Sequence, residues 1–334
     1  MSALGWTADL EVAFVALERS GLRAGRVAID FGVSLRVLTA AGDEEVGLAP
    51  DLYRRARSGE RPVVGDWVAL AGTPGDALVV ERLARTSTFT RRRAGSEGAA
   101  RRQVIAANVD TAFLVTDARD FSPRRIERYL AIAGEASAEP VIVLTKIDLY
   151  PDVLDLLSEL WALAPHVAVH PVSSVTGAGF DGLDCYLEPG RTICLVGSSG
   201  VGKSTLVNRL LGHEHLRTGQ ERRDGAGRHT TTRRELVSLP AGGLLIDNPG
   251  MREVGLWAAE DGVEETFDDV ASLAEGCRFD DCRHDSEPGC AVQAAVEHGK
   301  LRQERLTSFR KLASELRRPT GTSRRRTAKP TIDG

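Results

Sequence analysis

The stretch Gly197-Ser198-Ser199-Gly200-Val201-Gly202-Lys203-Ser204-Thr205 leaves the chain few folds to adopt. It reads G-x-x-x-x-G-K-S, a loop whose glycines let backbone N–H groups turn inward around phosphate oxygens. An apolar run, Thr192 to Val196, precedes it and suits a buried strand. A helical run, Thr205 to Leu211, follows and stops at Gly212. Strand, glycine loop and helix are the context the motif needs, and the helix N-terminus adds partial positive charge. In that context Lys203 reaches the outer phosphates of a nucleoside triphosphate and Ser204 ligates Mg²⁺. The motif by itself specifies neither the base nor the purpose.

At 334 residues the chain has room for about two or three domains. No apolar run approaches the roughly 20 residues of a membrane span. The N-terminus lacks a basic region leading into an apolar core, so a cytoplasmic protein without membrane contact is expected. The formal net charge of -4 hides an uneven distribution. Acidic residues crowd between Glu260 and Glu287, whereas Arg91 to Arg102 and the C-terminal end are basic. This asymmetry points to a nucleic-acid partner.

Leu10, Phe14 and Leu17 fall at helical spacing. The period then changes: Gly25–Phe31, Ser34–Leu38, Val46–Leu48, Asp66–Leu70 and Ala77–Leu83 alternate like half-buried strands. Short strands punctuated by Gly and Pro predict a small β-barrel, and their number and length suit an OB-fold. An SH3-like barrel carries the same signature. Residues 91–103 read as a Gly/Ala/Ser linker with five arginines, either a solvated connector or a phosphate-contacting hinge.

Beyond it, strands at Val109–Thr116, Pro140–Leu144, Val167–Val172, Thr192–Val196 and Leu244–Ile246 alternate with helical runs such as Arg124–Gly134, the pattern of a parallel α/β sheet. Thr145-Lys146-Ile147-Asp148, Ser173-Ser174, the glycine loop and Asp247-Asn248-Pro249-Gly250 each end a strand, where ligands bind in such sheets.

Cys277, Cys282, His284 and Cys290 supply three thiols and an imidazole within fourteen residues. Four N/S ligands at this spacing close a structural tetrahedral Zn²⁺ site. Cys185 and Cys194 lie outside the cluster and are expected in the core. Leu306, Phe309, Leu312, Ala313 and Leu316 share a helical face, expected to pack on the metal knot. From Lys300 onward eleven Lys/Arg face three acids, so the tail reads as disordered and RNA-binding.

These motifs carry a family resemblance. Thr145–Asp148 resembles the guanine-binding N-K-x-D motif of GTPases, Asp247–Gly250 their D-x-x-G motif, and Ser173-Ser174 the loop that touches the guanine carbonyl. Their order, with T-K-I-D ahead of the glycine loop, is a circular permutation. A barrel in front and a cysteine cluster behind make the whole chain resemble the ribosome small-subunit-dependent GTPase A family (RsgA/YjeQ). The resemblance implies a permuted P-loop GTPase domain with an N-terminal OB-fold barrel and a C-terminal zinc-binding helical domain. Its expected boundaries are 1–90 for the barrel, 91–103 for the linker, 104–256 for the GTPase domain, 257–318 for the zinc domain and 319–334 for the tail.

The resemblance also implies GTP hydrolysis to GDP and phosphate with Mg²⁺, acting on the 30S ribosomal subunit and its 16S rRNA as a monomer. The Asp148 carboxylate would accept from guanine N1–H and the 2-amino group, Lys146 would pack beside the base, and Asp247 would hold Mg²⁺ through water. The Gly250 N–H would approach the γ-phosphate, and Thr231 or Thr232 would cap Mg²⁺. The chain departs from the pattern twice. Thr145 replaces the usual Asn, offering one hydroxyl proton where an amide has two. Met251 stands where Ras-like proteins have the water-orienting Gln, so unassisted hydrolysis should be slow, and His229 is the internal candidate for that role. A small-molecule ATPase or kinase would lack the need for Asp148. An RNA-binding scaffold would tolerate Met251.

Overall fold

The computed structural model describes residues 1–17, 21–56, 61–93, 101–198, 200–212, 234–247, 267–279, 282–285 and 287–317. A short helix, α1 (Ala8–Val15), opens the chain; the Thr7 hydroxyl caps it by accepting the Leu10 N–H at 3.3 Å. Five strands follow: β1 (Arg23–Asp30), β2 (Leu35–Thr39), β3 (Gly42–Leu48), β4 (Trp67–Ala71) and β5 (Leu78–Arg82). They run in the order β1-β2-β3-β5-β4 and close through a β1–β4 pairing. Strands β3 and β5 are parallel and the other barrel pairs are antiparallel. Helix α2 (Pro50–Arg55) lies between β3 and β4 in the chain and adds Leu52 to the barrel core with Val27, Val37, Val68 and Val79. This Greek-key closure is the OB-fold. Register shifts in β1 and β4 provide the bends that closure requires.

Where a linker was expected, the chain forms a hairpin. Strand β6 (Thr88–Arg93) pairs antiparallel with β7 (Arg101–Ala107), and only residues 94–100 between them lie outside the described residues. Phe89 and Ile105 are buried in the hydrophobic cluster that holds the next helix. The arginine-rich composition masks an alternation that β-branched Thr88, Thr90, Val104 and Ile105 support.

The second sheet segment comprises β8 (Thr111–Asp117), β9 (Glu139–Thr145), β10 (Ala168–Pro171), β11 (Thr192–Val196), β12 (Glu235–Ser238) and β13 (Leu244–Asp247). Its order is β10-β9-β8-β11-β13-β12, all parallel except β12, which runs antiparallel to β13. Helices α3 (Pro123–Ala136), α4 (Val153–Leu163) and α5 (Lys203–Leu211) cover it. Continuous burial along β8 and β11, apolar over Ala112–Val115 and Ile193–Val196, is what a parallel sheet covered on both faces demands. Cys194 is fully buried in β11, as expected, but Cys185 is exposed. Cys185 lies in a single 3₁₀ segment, Phe180–Tyr186, whose inward side is taken by Leu183 with Phe180 and Tyr186, three residues apart.

One strand pairing, Ile29 with Glu235, joins β1 of the barrel to β12. The junction is sealed by Arg26, which is 1% exposed. Its guanidinium donates to Leu4 O at 2.5 Å, Asn108 O at 2.8 Å and Gly65 O at 3.2 Å, and lies 5.3 Å from the Trp67 ring centroid. Burial lowers its pKa to about 10, against the pull of Asp110 and Asp66, so it stays charged at neutral pH. Arg26→Met keeps much of the volume but strands the Leu4 and Asn108 carbonyls. It should cost about 2–5 kcal/mol in denaturant unfolding; a loss below about 1 kcal/mol would show that the junction contributes little.

Helices α6 (Asp268–Ala274), α7 (Ala291–Glu297) and α8 (Gln303–Arg317) complete the described chain. Phe267, Val270, Val292 and Leu306 extend the same cluster that buries the inner face of α3. Among the described residues no helix is long and apolar enough to cross a membrane. The basic tail, 319–334, lies outside them.

Candidate functional site

The glycine loop leaves β11 and enters α5 as the sequence predicts, and Gly212 ends the helix in the left-handed conformation (φ 69°). Geometry requires glycine at three loop positions, Gly200 among them with φ 84°. A Cβ on Gly197 would lie 2.6 Å from Val115 O, and Gly202 caps α5 with φ 98°. Val201 is buried beneath the loop, Ser204 is half-buried in the first turn of α5 and Thr205 is exposed. The Lys203 ammonium donates to Gly197 O at 2.6 Å and Ser198 O at 2.5 Å. It therefore lies along the loop, its charge held where the loop carbonyls converge.

The strand register brings Thr145 beside the loop. Its hydroxyl lies 3.0 Å from Thr116 O and 2.5 Å from Val201 O and is buried. Two acceptors share one proton, so this side chain ties β9 to β8 and to the loop rather than facing a base. Lys146 adopts φ 60° and donates to Gly200 O and to Asp117 Oδ2, both at 2.6 Å. Ile147 and Asp148 form the short turn that follows, with Asp148 exposed beyond the C-terminal end of β9. Ser173 is buried and accepts the Thr176 N–H, stabilising its own loop; Ser174 is half-buried beside it. Asp247 ends β13, the strand neighbouring β11. Ser199, His229, Thr231, Thr232, Gly250 and Met251 lie outside the described residues.

Two residues at this end of the sheet escape sequence reasoning. Asp117 ends β8 and anchors Lys146; burial disfavours its charge, but hydrogen bonds from Lys146 and Arg119 outweigh this and lower its pKa. Its position at a strand C-terminus, like every other motif, was the available signal. Arg125, in the first turn of α3, donates to Asp120 Oδ2 at 2.9 Å and reaches Ser198 Oγ of the loop at 3.5 Å.

The cysteine cluster assembles as spaced. The ligand atoms of Cys277, Cys282, His284 and Cys290 all lie within 4.8 Å of one another. Cys277 Sγ is 3.9 Å from Cys290 Sγ, and His284 Nδ1 is 3.5 and 3.4 Å from those two sulfurs. Thiolates sharing a tetrahedral Zn²⁺ with 2.3 Å bonds stand about 3.7 Å apart, so the dimensions fit the ion. Burial and the neighbouring thiols, against a hydrogen bond from His284, push Cys282 up to about 11, and a cation would relieve that penalty. His284 is held at φ 57°; its carbonyl accepts from Gln293 and Arg310, and its ring packs on Phe309 of α8 at 5.8 Å.

A glycine loop between β11 and α5, a T-K-I-D turn placed before it in the chain and beside it in the sheet, and an OB-fold barrel define a circularly permuted P-loop GTPase fold. The RsgA GTPase family model matches residues 82–257. A Methanosarcina acetivorans protein, named small ribosomal subunit biogenesis GTPase RsgA, is 44% identical over 316 residues, spanning 93% of this chain and 84% of its own. A protein of the same name from Opitutus terrae is 44% identical over 329 residues, spanning 94% and 89%. The crystal structure of YjeQ from Thermotoga maritima superposes with a TM-score of 0.67 at 27% identity, over 88% of this chain and 98% of that one. YloQ, described as a circularly permuted GTPase, shares the fold with a TM-score of 0.63 at 24% identity, over 89% of this chain and 96% of its own. This chain belongs to the RsgA GTPase family.

Proposed function

We infer that this chain hydrolyses GTP in the biogenesis of the small ribosomal subunit, contacting 16S rRNA as a cytoplasmic monomer. The observation that carries the reading is the convergence of Lys203, Lys146 and the exposed Asp148 at the C-terminal ends of the sheet strands, in a chain 44% identical to proteins named for that role. Residues 197–205 bind the phosphates and Asp148 selects guanine, because adenine has no donors to offer a carboxylate there. Ile147, Ser173 and Ser174 frame the base. Ser204, Asp247 and either Thr231 or Thr232 hold Mg²⁺, which supplies charge neutralisation on the phosphates. Gly250 contacts the γ-phosphate and His229 orients water. The Cys277, Cys282, His284 and Cys290 set holds one structural Zn²⁺. The proposed domains are 1–90, 104–256 and 257–318, with the arginines of strands β6 and β7 and the basic tail 319–334 contacting RNA.

The test is GTP and ATP turnover with and without small ribosomal subunits. Turnover of GTP that rises with subunits, and ATP turnover at least about a hundredfold lower, supports the reading. Equal use of ATP, or no response to subunits, overturns it.

A further inference from the structure

We propose that α3 mechanically couples the nucleotide loop to the Cys/His domain, with Arg125 as the positioning residue on the loop side and Glu127 as its counterpart on the other. The proposal rests on the reading of the loop as a nucleotide site.

Residues two apart on an α-helix project about 200° from one another. Arg125 and Glu127 therefore reach opposite ways from the same turn. Arg125 bridges Asp120 and Ser198 of the loop. Glu127, 3% exposed, accepts from Arg305 of α8 at 3.0 Å. Arg305 in turn forks onto both oxygens of Asp269 at 2.9 Å and stacks 4.4 Å over Phe267. One guanidinium thus gathers α3, α6 and α8, and Arg310, five residues further along α8, donates to the carbonyl of the ligand His284. Burial raises the Glu127 pKa against the pull of Ser308 and Arg305, so the charge there depends on its partner. The buried packing between α3 and the C-terminal helices is continuous, which lets a small displacement of the loop pass as a rigid shift.

Hydrogen exchange of the full zinc-loaded chain, without nucleotide, with GDP and with a non-hydrolysable GTP analogue, tests this. Occupancy of the loop should change exchange of amides in 267–279 and 291–310 by about fivefold. Arg305→Gln and Glu127→Gln should abolish that response while zinc content stays at one ion per chain. Arg125→Gln should abolish it from the other side. Arg305→Lys, which keeps the charge but loses the fork, should restore part of it, and serves if Arg305→Gln does not fold. A response of equal size in wild type and in the foldable variants overturns the coupling, as does a wild-type response absent despite bound nucleotide. Fluorescent GDP titration separates the two readings: if no guanine nucleotide binds, the site assignment falls and this proposal with it.

Discussion

Lys203→Ala should abolish GTP turnover and weaken GTP binding by about a hundredfold or more. The ammonium sits against Gly197 O and Ser198 O, within the curve of the loop where phosphates would gather. Without it, the loop keeps its N–H groups, the helix dipole and the Lys146 ammonium at Gly200 O, but loses the charge seated between Gly197 O and Ser198 O. The loop itself should survive, because Val201 is buried beneath it and Thr145 still ties it to the sheet. Unchanged thermal unfolding together with lost fluorescent-nucleotide binding is therefore the expected pair of results. Retained binding and turnover in this variant would remove the loop from the chemistry altogether.

The second large effect concerns the metal cluster. Cys290→Ala should eliminate stoichiometric zinc and unravel the C-terminal helices. Structural Zn²⁺ contributes about 10–16 kcal/mol of apparent binding free energy in small metal-dependent folds. Beside its apolar contacts with α3, the segment has little local support: α6 and α7 are seven residues each, too short to persist on their own. Cys290 also caps α7, accepting the Gln293 N–H at 3.4 Å. Metal analysis and far-ultraviolet circular dichroism should both fall, and strong chelators should reproduce the change in the unaltered chain. Cys185→Ala is the control: that thiol is exposed, lies outside the cluster and should leave both readouts unchanged. Full helicity in zinc-free Cys290→Ala would assign the fold of this region to its apolar contacts with α3 instead.

Much of the fold was legible because its signals are local. The five barrel strands, the strand before the glycine loop and the stop at Gly212 all follow from alternation, apolar runs and backbone freedom within a few residues. The hairpin β6–β7 was not legible, because its charged, glycine-flanked composition resembles a connector while its stability comes from Phe89 and Ile105 packing against α3. Cys185 was placed inside on residue type alone, and the turn geometry turned it out.

The sequence by itself determined the motifs: the glycine loop between strand and helix, the order of motifs that marks the permutation, and the Cys/His set that gathers as a candidate metal site. Each is a run of near neighbours whose spacing already implies its geometry. Only the tertiary structure decided which hydroxyls and charges are spoken for. Thr145 and Ser173 prove to be occupied within the protein, while Asp117 and Arg125 join the loop's surroundings. Arg26 meets Asn108 across 82 residues, Arg125 meets Ser198 across 73, and Arg305 meets Glu127 across 178. Such pairings depend on strand order and on how helices stack over the sheet. No local pattern encodes them, because the partner that makes a buried charge tolerable is chosen by the fold and not by the neighbouring residues.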